Sequence, residues 1–208
     1  MNMNILSIDT CFSACAVGFS SGLGTPGASR LVPMTRGQAE HLIPLVQEVL
    51  AEAGVTVDQL DLIVVNCGPG SFTGVRVGIA AARGLALPRD IPVFGVTSID
   101  AINYYHRLGV SGVGPVRVRI DTGRRDFFAY DFGGEAGARC DPTQIQIATM
   151  RAEGDVTEAA ILAPGPVPYP VALADCGAMM YAQAIVSGQG IMCDPIYVRE
   201  AETTKAKA

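Results

Sequence analysis

Apolar positions along the chain change their period several times, and each change marks an element. Residues 4–9 and 14–20 are short runs rich in β-branched side chains, divided by Thr10-Cys11-Phe12-Ser13, and they predict an opening β-hairpin. Residues 31–34 suggest a third strand. From 37 to 53, Ala39, Leu42, Ile43, Val46, Val49, Leu50 and Ala53 follow the i, i+3, i+4, i+7 spacing of an amphipathic helix that Gly54 ends. Pro44 lies inside that run and predicts either a kink or a helix that begins near it. A strand at Leu62–Asn66, a glycine turn, a helix over 74–87, a strand over 92–97 and a helix over 98–107 follow. This order, a hairpin and then alternating helix and strand, is that of a mixed α/β layer.

The helix over 74–87 is unusual. Its only charged side chains are Arg76 and Arg83, seven residues apart and so within about 20° of each other around the axis. The rest of its circumference, with Val75, Val77, Ile79, Ala81, Ala82 and Leu85, is more apolar than one core contact would use. It is expected to pack on two sides, against its own sheet and against another helix of this chain or a partner.

The second half begins with an echo of the first. Ile120-Asp121-Thr122 repeats Ile8-Asp9-Thr10, and an apolar-leaning strand over 127–132 returns as 14–19 does. The repeat predicts two related subdomains, 1–100 and 101–208, the second rich in loops. Within it, 133–142 reads as a loop, 156–161 as helix or strand, 164–170 as a proline-rich connection, 171–174 as a short strand, 178–186 as a helix, and 203–208 as a disordered tail.

Composition narrows the class. Charged residues make up 17% of the 208 and apolar residues 49%, too little charge to cover the surface comfortably, which favours an oligomer or a complex subunit. A formal charge of -5 without a basic run argues against autonomous binding of nucleic acid. Six scattered cysteines without a C-x-x-C pair read as reduced thiols. No signal segment and no apolar run of membrane-spanning length is visible, so a cytoplasmic protein is expected.

The candidate chemistry is sparse. The turn Gly68-Pro69-Gly70-Ser71-Phe72-Thr73-Gly74 precedes a helix N-terminus and has two readings, close strand-to-helix packing or an anion cradle. It lacks the Lys-Ser/Thr of a Walker A loop, and its third glycine falls one residue late for the dinucleotide fingerprint. Asp9 with Thr10, and Asp121, sit at strand ends as paired carboxylates of a metal-assisted phosphoryl-transfer cleft would, although turn chemistry alone also favours them there. The histidines, His41 and His106, lie in no triad or zinc context. No catalytic set and no metal site is expected.

The segment Gly68-Pro-Gly-Ser-Phe-Thr-Gly-Val-Arg-Val-Gly-Ile-Ala-Ala-Ala-Arg-Gly-Leu-Ala86 closely resembles the signature of the TsaB (YeaZ-type) family of tRNA threonylcarbamoyladenosine biosynthesis proteins. Ile8-Asp9-Thr10, Gln38-Ala39-Glu40 with Leu42 and Pro44, Asp121-Thr122-Gly123-Arg124 and Pro195-Ile196-Tyr197-Val198-Arg199 agree in order. The resemblance is strong over 1–130 and thin over 133–190.

It implies a duplicated actin-like ATPase fold, also called the Hsp70-actin-sugar kinase or ribonuclease H-like fold, in two subdomains. It further implies a non-catalytic scaffold for the related transferase TsaD in threonylcarbamoyladenosine modification of tRNAs reading A-starting codons. TsaE would be a further partner, and tRNA would be touched only through the complex. ATP and metal would belong to that complex, with none held tightly by this chain. TsaD carries a pair of metal-binding histidines on the helix equivalent to 37–53, where this chain has His41 alone. Many relatives also have His-Ser-Glu where this chain has Gln38-Ala39-Glu40.

Family members pair through N-terminal helices, as homodimers or with TsaD, so the expected seam comprises Leu42, Val46, Val75, Ile79 and Ala82 with Arg76 and Arg83 at its polar edge. The rival expectation is an active ATP-dependent phosphotransferase or carbamoyltransferase of the same fold, using Asp9 and Asp121. The older peptidase label of the family has no residue support here.

Overall fold

The computed structural model describes residues 3–23, 27–109, 114–122, 125–134, 138–149, 155–157, 167–188 and 193–198. The first half contains β1 (Ile5–Asp9), β2 (Ala14–Ser20), β3 (Ser29–Pro33), α1 (Gln38–Ala53), β4 (Leu62–Asn66), α2 (Phe72–Ala86) and β5 (Val93–Val96). After α3 (Ser98–Leu108) come β6 (Val116–Asp121), β7 (Phe127–Phe132), β8 (Gln146–Ala148), β9 (Val156–Thr157) and α4 (Tyr169–Ser187). The first sheet has the order β3-β2-β1-β4-β5, with β1 antiparallel to β2 and parallel to β4. The second has the order β8-β7-β6-β9, with β6 antiparallel to β7 and parallel to β9. β6 therefore stands in the second sheet as β1 stands in the first. This doubled arrangement is the actin-like, ribonuclease H-like fold that the repeated Ile-Asp-Thr anticipates.

Side-chain alternation in β1 and β4 sends residues to two separate cores. Leu6, Ile8, Ile63 and Val65 face α1 and α2, while Ile5, Leu62 and Val64 face α3, α4 and the second sheet. The second core crosses between the halves: Ile102 of α3, Leu173 of α4 and Val118, Ile120 and Phe128 of the second sheet all contribute to it. Residue 100, the expected boundary, lies in the first turn of α3, so the two sheets mark the division better than that position does.

Helix ends follow local chemistry. The Ser71 hydroxyl accepts from the Gly74 N–H at 3.2 Å and starts α2 at Phe72, two residues earlier than the apolar pattern suggests. Gly54, at φ 69°, ends α1 as expected. Pro44 does not delay α1, which begins at Gln38. A proline at the seventh position withholds a donor only from the Glu40 carbonyl, and both residues are exposed, where water can serve that carbonyl.

One expectation is corrected. Residues 171–174 are not a strand but part of α4, whose residues 169–177 are all buried. A helix enclosed between the first sheet and α3 is apolar all round, so no 3.6-residue stripe marks it in the sequence. The proline-rich connection ends inside this helix, because Pro170 takes a first-turn position where its missing N–H costs nothing. Of 156–161, Val156–Thr157 is strand β9, and the remainder lies outside the described residues, as do 203–208.

Two helical glycines test the packing in opposite senses. A Cβ at Gly177 would come within 2.4 Å of both Val64 methyl carbons, whereas one at Gly84 would meet nothing within 4 Å. Gly177→Ala is expected to lose about 1–3 kcal/mol to overpacking despite alanine's better helix propensity. Gly84→Ala is expected to gain about 0.5–1 kcal/mol. Urea denaturation midpoints check both, and equal shifts for the two variants would contradict this packing.

Candidate functional site

β1 and β4 run parallel with Ile8 opposite Val65, so Asp9 and Asn66 end neighbouring strands side by side. The glycine turn then folds back over β1. Ser71 N–H donates to the Cys11 carbonyl at 2.8 Å, and the Thr10 hydroxyl donates to the Gly74 carbonyl at 2.6 Å. A Cβ at Gly74 would sit 1.9 Å from the Thr10 carbonyl oxygen, and one at Gly70 2.6 Å from that of Cys11. These two glycines permit backbone-to-backbone approach, which favours the packing reading of the turn. Thr10, expected as a ligand-facing residue, is buried beneath α2.

Asp9 points inward and is 2% exposed. Its Oδ1 accepts from the Cys11 N–H at 2.7 Å, and its Oδ2 accepts from Asn66 Nδ2 at 2.8 Å and from the Tyr169 hydroxyl at 2.6 Å. Asn66 extends the network, since its Oδ1 accepts from the Gly68 N–H at 3.0 Å and from the Ser98 hydroxyl at 2.8 Å. Burial pushes the Asp9 carboxyl above its ordinary value despite these donors, and pushes the Tyr169 phenol up as well, helped by Asp9. Asp121 is different: it ends β6 of the second sheet and is exposed. The two carboxylates expected to act as a pair thus occupy unlike environments on separate sheets.

A second buried carboxylate lies beside this network. Asp100 Oδ2 accepts from the Thr97 hydroxyl and Oδ1 from the Cys140 N–H, at 2.8 and 2.7 Å. Burial is the largest influence and carries its pKa to about 6, against those hydrogen bonds and the Arg139 charge.

A metal ion at Asp9 Oδ2 would have to displace Tyr169 or Asn66. Among the described residues, no three His, Cys, Asp or Glu side chains gather to hold an ion. His41 is exposed on α1 with Nδ1 2.9 Å from the Gly37 carbonyl oxygen, and His106 is half-buried on α3. All six cysteines are free thiols.

The expected seam is corrected in part. Leu42, Val46, Val75, Ile79 and Ala82 all lie in the core beneath α1 and α2, with Ile79 only 4% exposed. Residues facing a sheet and residues facing a partner have the same apolar chemistry, which is why the pattern cannot separate them. A charge at position 79 would therefore disrupt the core before it reported on pairing. Arg76 and Arg83 are exposed, and both hold segment 193–198 against α2. Arg83 Nη2 donates to the Cys193 carbonyl at 2.7 Å and meets Asp194 at 3.0 Å, while Arg76 Nε donates to the Tyr197 hydroxyl at 2.9 Å. The outer stripe of α2 that is free of this chain's core is Thr73, Arg76, Ala80, Arg83 and Gly84, flanked by Phe72 and by Leu87, the latter 82% exposed.

Sequence reasoning missed Tyr169, Asn66, Ser98, Thr97, Asp100 and Tyr197. Asn66 carries a signal, as a polar residue closing an apolar strand before the glycine turn. Tyr169 carries none, because its link to Asp9 spans 160 residues.

The family described as "TsaD: tRNA N6-adenosine threonylcarbamoyltransferase" matches residues 33–159, and the chain belongs to it. An uncharacterized protein of Mycobacterium tuberculosis (strain ATCC 25618 / H37Rv) is 34% identical over 171 residues, covering 81% of this chain and 74% of that protein. Within the family the chain is of the TsaB type. The tRNA threonylcarbamoyladenosine biosynthesis protein TsaB of Escherichia coli (strain K12) is 40% identical over 98 residues, covering 47% of this chain and 41% of that protein. YeaZ from Pseudomonas aeruginosa shares the fold, with a TM-score of 0.72 at 22% identity over 94% of this chain and all of that one.

The site sets a pH dependence. An unfolded aspartate titrates near 3.8 and folded Asp100 near 6, so between these values the folded state keeps a proton that the unfolded state has released. Stability from this group is complete below pH ~4 and declines as pH rises to ~6, by roughly 3 kcal/mol. Asp9 acts in the same direction. Denaturation of wild type and Asp100→Asn at pH 4 and pH 7 is expected to show a shallower decline in the variant; parallel declines would contradict the assignment.

Proposed function

We propose that this chain is a non-catalytic partner of a TsaD-type transferase in the threonylcarbamoyladenosine modification of tRNAs reading A-starting codons. The observation that carries the proposal is the closure of Asp9: its carboxylate is 2% exposed and accepts hydrogen bonds from Cys11, Asn66 and Tyr169, and the neighbouring glycine turn packs on backbone. A chain closed in this way contributes surface, not chemistry. The surface is the outer stripe of α2 with the exposed side of α1, where Ala39, Glu40, Ile43, Pro44 and Gln47 face outward. Ala80 and Gly84 on that stripe allow another helix to approach closely, and Phe72, Ile43 and Leu87 supply apolar area at its margins.

On this reading the chain is cytoplasmic, and the same surface is the one a homodimer would use when the chain is alone. ATP, metal and a TsaE-type ATPase belong to the larger complex, and tRNA is met only through it. The chain's net charge of -5 accords with a subunit that leaves the tRNA phosphates to others. Among the described residues no helix is long and apolar enough to cross a membrane.

Ala80 is exposed and inside a helix, so Ala80→Arg should leave the stability of the chain within about 0.5 kcal/mol of wild type. The same change should weaken binding to the TsaD-type transferase by about tenfold or more, measured by titration calorimetry. Wild-type affinity in the variant would remove α2 from the pairing surface.

A further inference from the structure

Arg76 is held unlike the arginines that pair with a carboxylate within the chain. Arg30, Arg83, Arg89 and Arg117 each close on a carboxylate of this chain, at 2.6 Å to Glu52, 3.0 Å to Asp194, 2.8 Å to Asp58 and 2.5 Å to Asp131. Arg76 has no such counter-ion among the described residues. Its guanidinium carbon instead lies 3.8 Å from the Phe72 ring centroid and 5.7 Å from that of Tyr197, whose rings are 5.2 Å apart. Tyr197 is itself held in place, because the neighbouring Ile196 N–H donates to the Cys67 carbonyl at 2.8 Å and Arg83 anchors residues 193 and 194.

With Nε committed to the Tyr197 hydroxyl, the two terminal nitrogens of Arg76 have no acceptor among the described residues. A planar cation stacked on aromatic rings loses little freedom when a ligand arrives, and its paired N–H groups match the two oxygens of a carboxylate.

We propose that Arg76, framed by Phe72 and Tyr197, is the electrostatic anchor of the pairing surface and receives an aspartate or glutamate side chain of the partner transferase. This rests on the pairing reading above. Arg76 lies on the same stripe of α2 as Ala80, one turn away, so a partner seated on Ala80 and Gly84 covers it. An arginine with flanking aromatic rings is also the composition that dominates binding energy at protein interfaces. A carboxylate fits better than a phosphate. The other cation of the stripe, Arg83, is already neutralised by Asp194, and the chain as a whole is acidic, so the several converging charges that a phosphate site uses are not assembled.

The test is calorimetric titration of the full chain with the TsaD-type transferase at low and high salt, for wild type, Arg76→Gln, Arg76→Lys and Tyr197→Phe. Arg76→Gln is expected to weaken binding about tenfold or more and to flatten its salt dependence, in a chain that still unfolds cooperatively although it has lost the hydrogen bond to Tyr197. Arg76→Lys, which keeps the charge but loses the fork, should fall between. Tyr197→Phe, which keeps the ring and the cation, should bind within a few-fold of wild type; a loss equal to that of Arg76→Gln would assign the effect to segment 193–198 and overturn the anchor. An Arg76→Gln complex with wild-type affinity and salt dependence overturns this inference alone. A wild-type chain that forms no complex overturns the pairing reading, and the inference with it. Saturable binding of inorganic phosphate to the isolated chain, lost in Arg76→Gln, would make Arg76 a small-anion site instead.

Discussion

The contact on which the rest of the molecule depends is the approach of Gly74 to the Thr10 carbonyl, so close that a Cβ would stand 1.9 Å from the oxygen. It seats the first turn of α2 directly on the end of β1. The Thr10 hydroxyl and the Ser71 amide then bond across the junction, and space that could hold a ligand at the strand ends is filled with backbone. Asp9 is turned to the opposite face of the sheet, where Asn66 and Tyr169 enclose it. One steric constraint thus fixes the course of α2, while Asn66 and Tyr169 seclude the first candidate acid on the other face.

Seating α2 this way divides the helix into two surfaces. Its inner face, with Val75, Ile79 and Ala82, is consumed by the core shared with α1 and the first sheet. Its outer face is left with small residues and two arginines, and segment 193–198 lies against it through both of them. The scarcity of charge that marks this helix is therefore only partly explained by burial within the chain. Exposed Leu87 and Phe72 beside Ala80 and Gly84 are what a helix offers to a second body, and they connect the fold to the proposed role.

Much of this was legible in the sequence where a single face is buried. The hairpin of β1 and β2 and the amphipathic α1 announce themselves because one side of each must be apolar and the other need not be. α4 did so only in its second half, 178–186, since enclosure of residues 169–177 erases their periodicity. The strand ends carrying Asp9 and Asp121 were recognisable, and the doubling of Ile-Asp-Thr pointed to the doubled sheet order. What encloses Asp9 was not, because Tyr169 lies 160 residues away along the chain. Arg76 and Arg83 stood out as a polar stripe, but their partners lie 121 and 111 residues away and carry no local mark. The apolar residues of α1 and α2 mark themselves as packed, but those expected at a partner seam lie in the chain's own core. What they pack against is a question of tertiary geometry that composition does not answer.

The closure of Asp9 is measured most directly by a calorimetric titration of the purified chain with ATP in the presence and absence of magnesium. A carboxylate already supplied with donors by Cys11, Asn66 and Tyr169 predicts no saturable, magnesium-dependent binding by the chain alone. Tight magnesium-dependent binding that disappears in Asp9→Asn would contradict it and return the chain to the nucleotide-using enzymes of its fold.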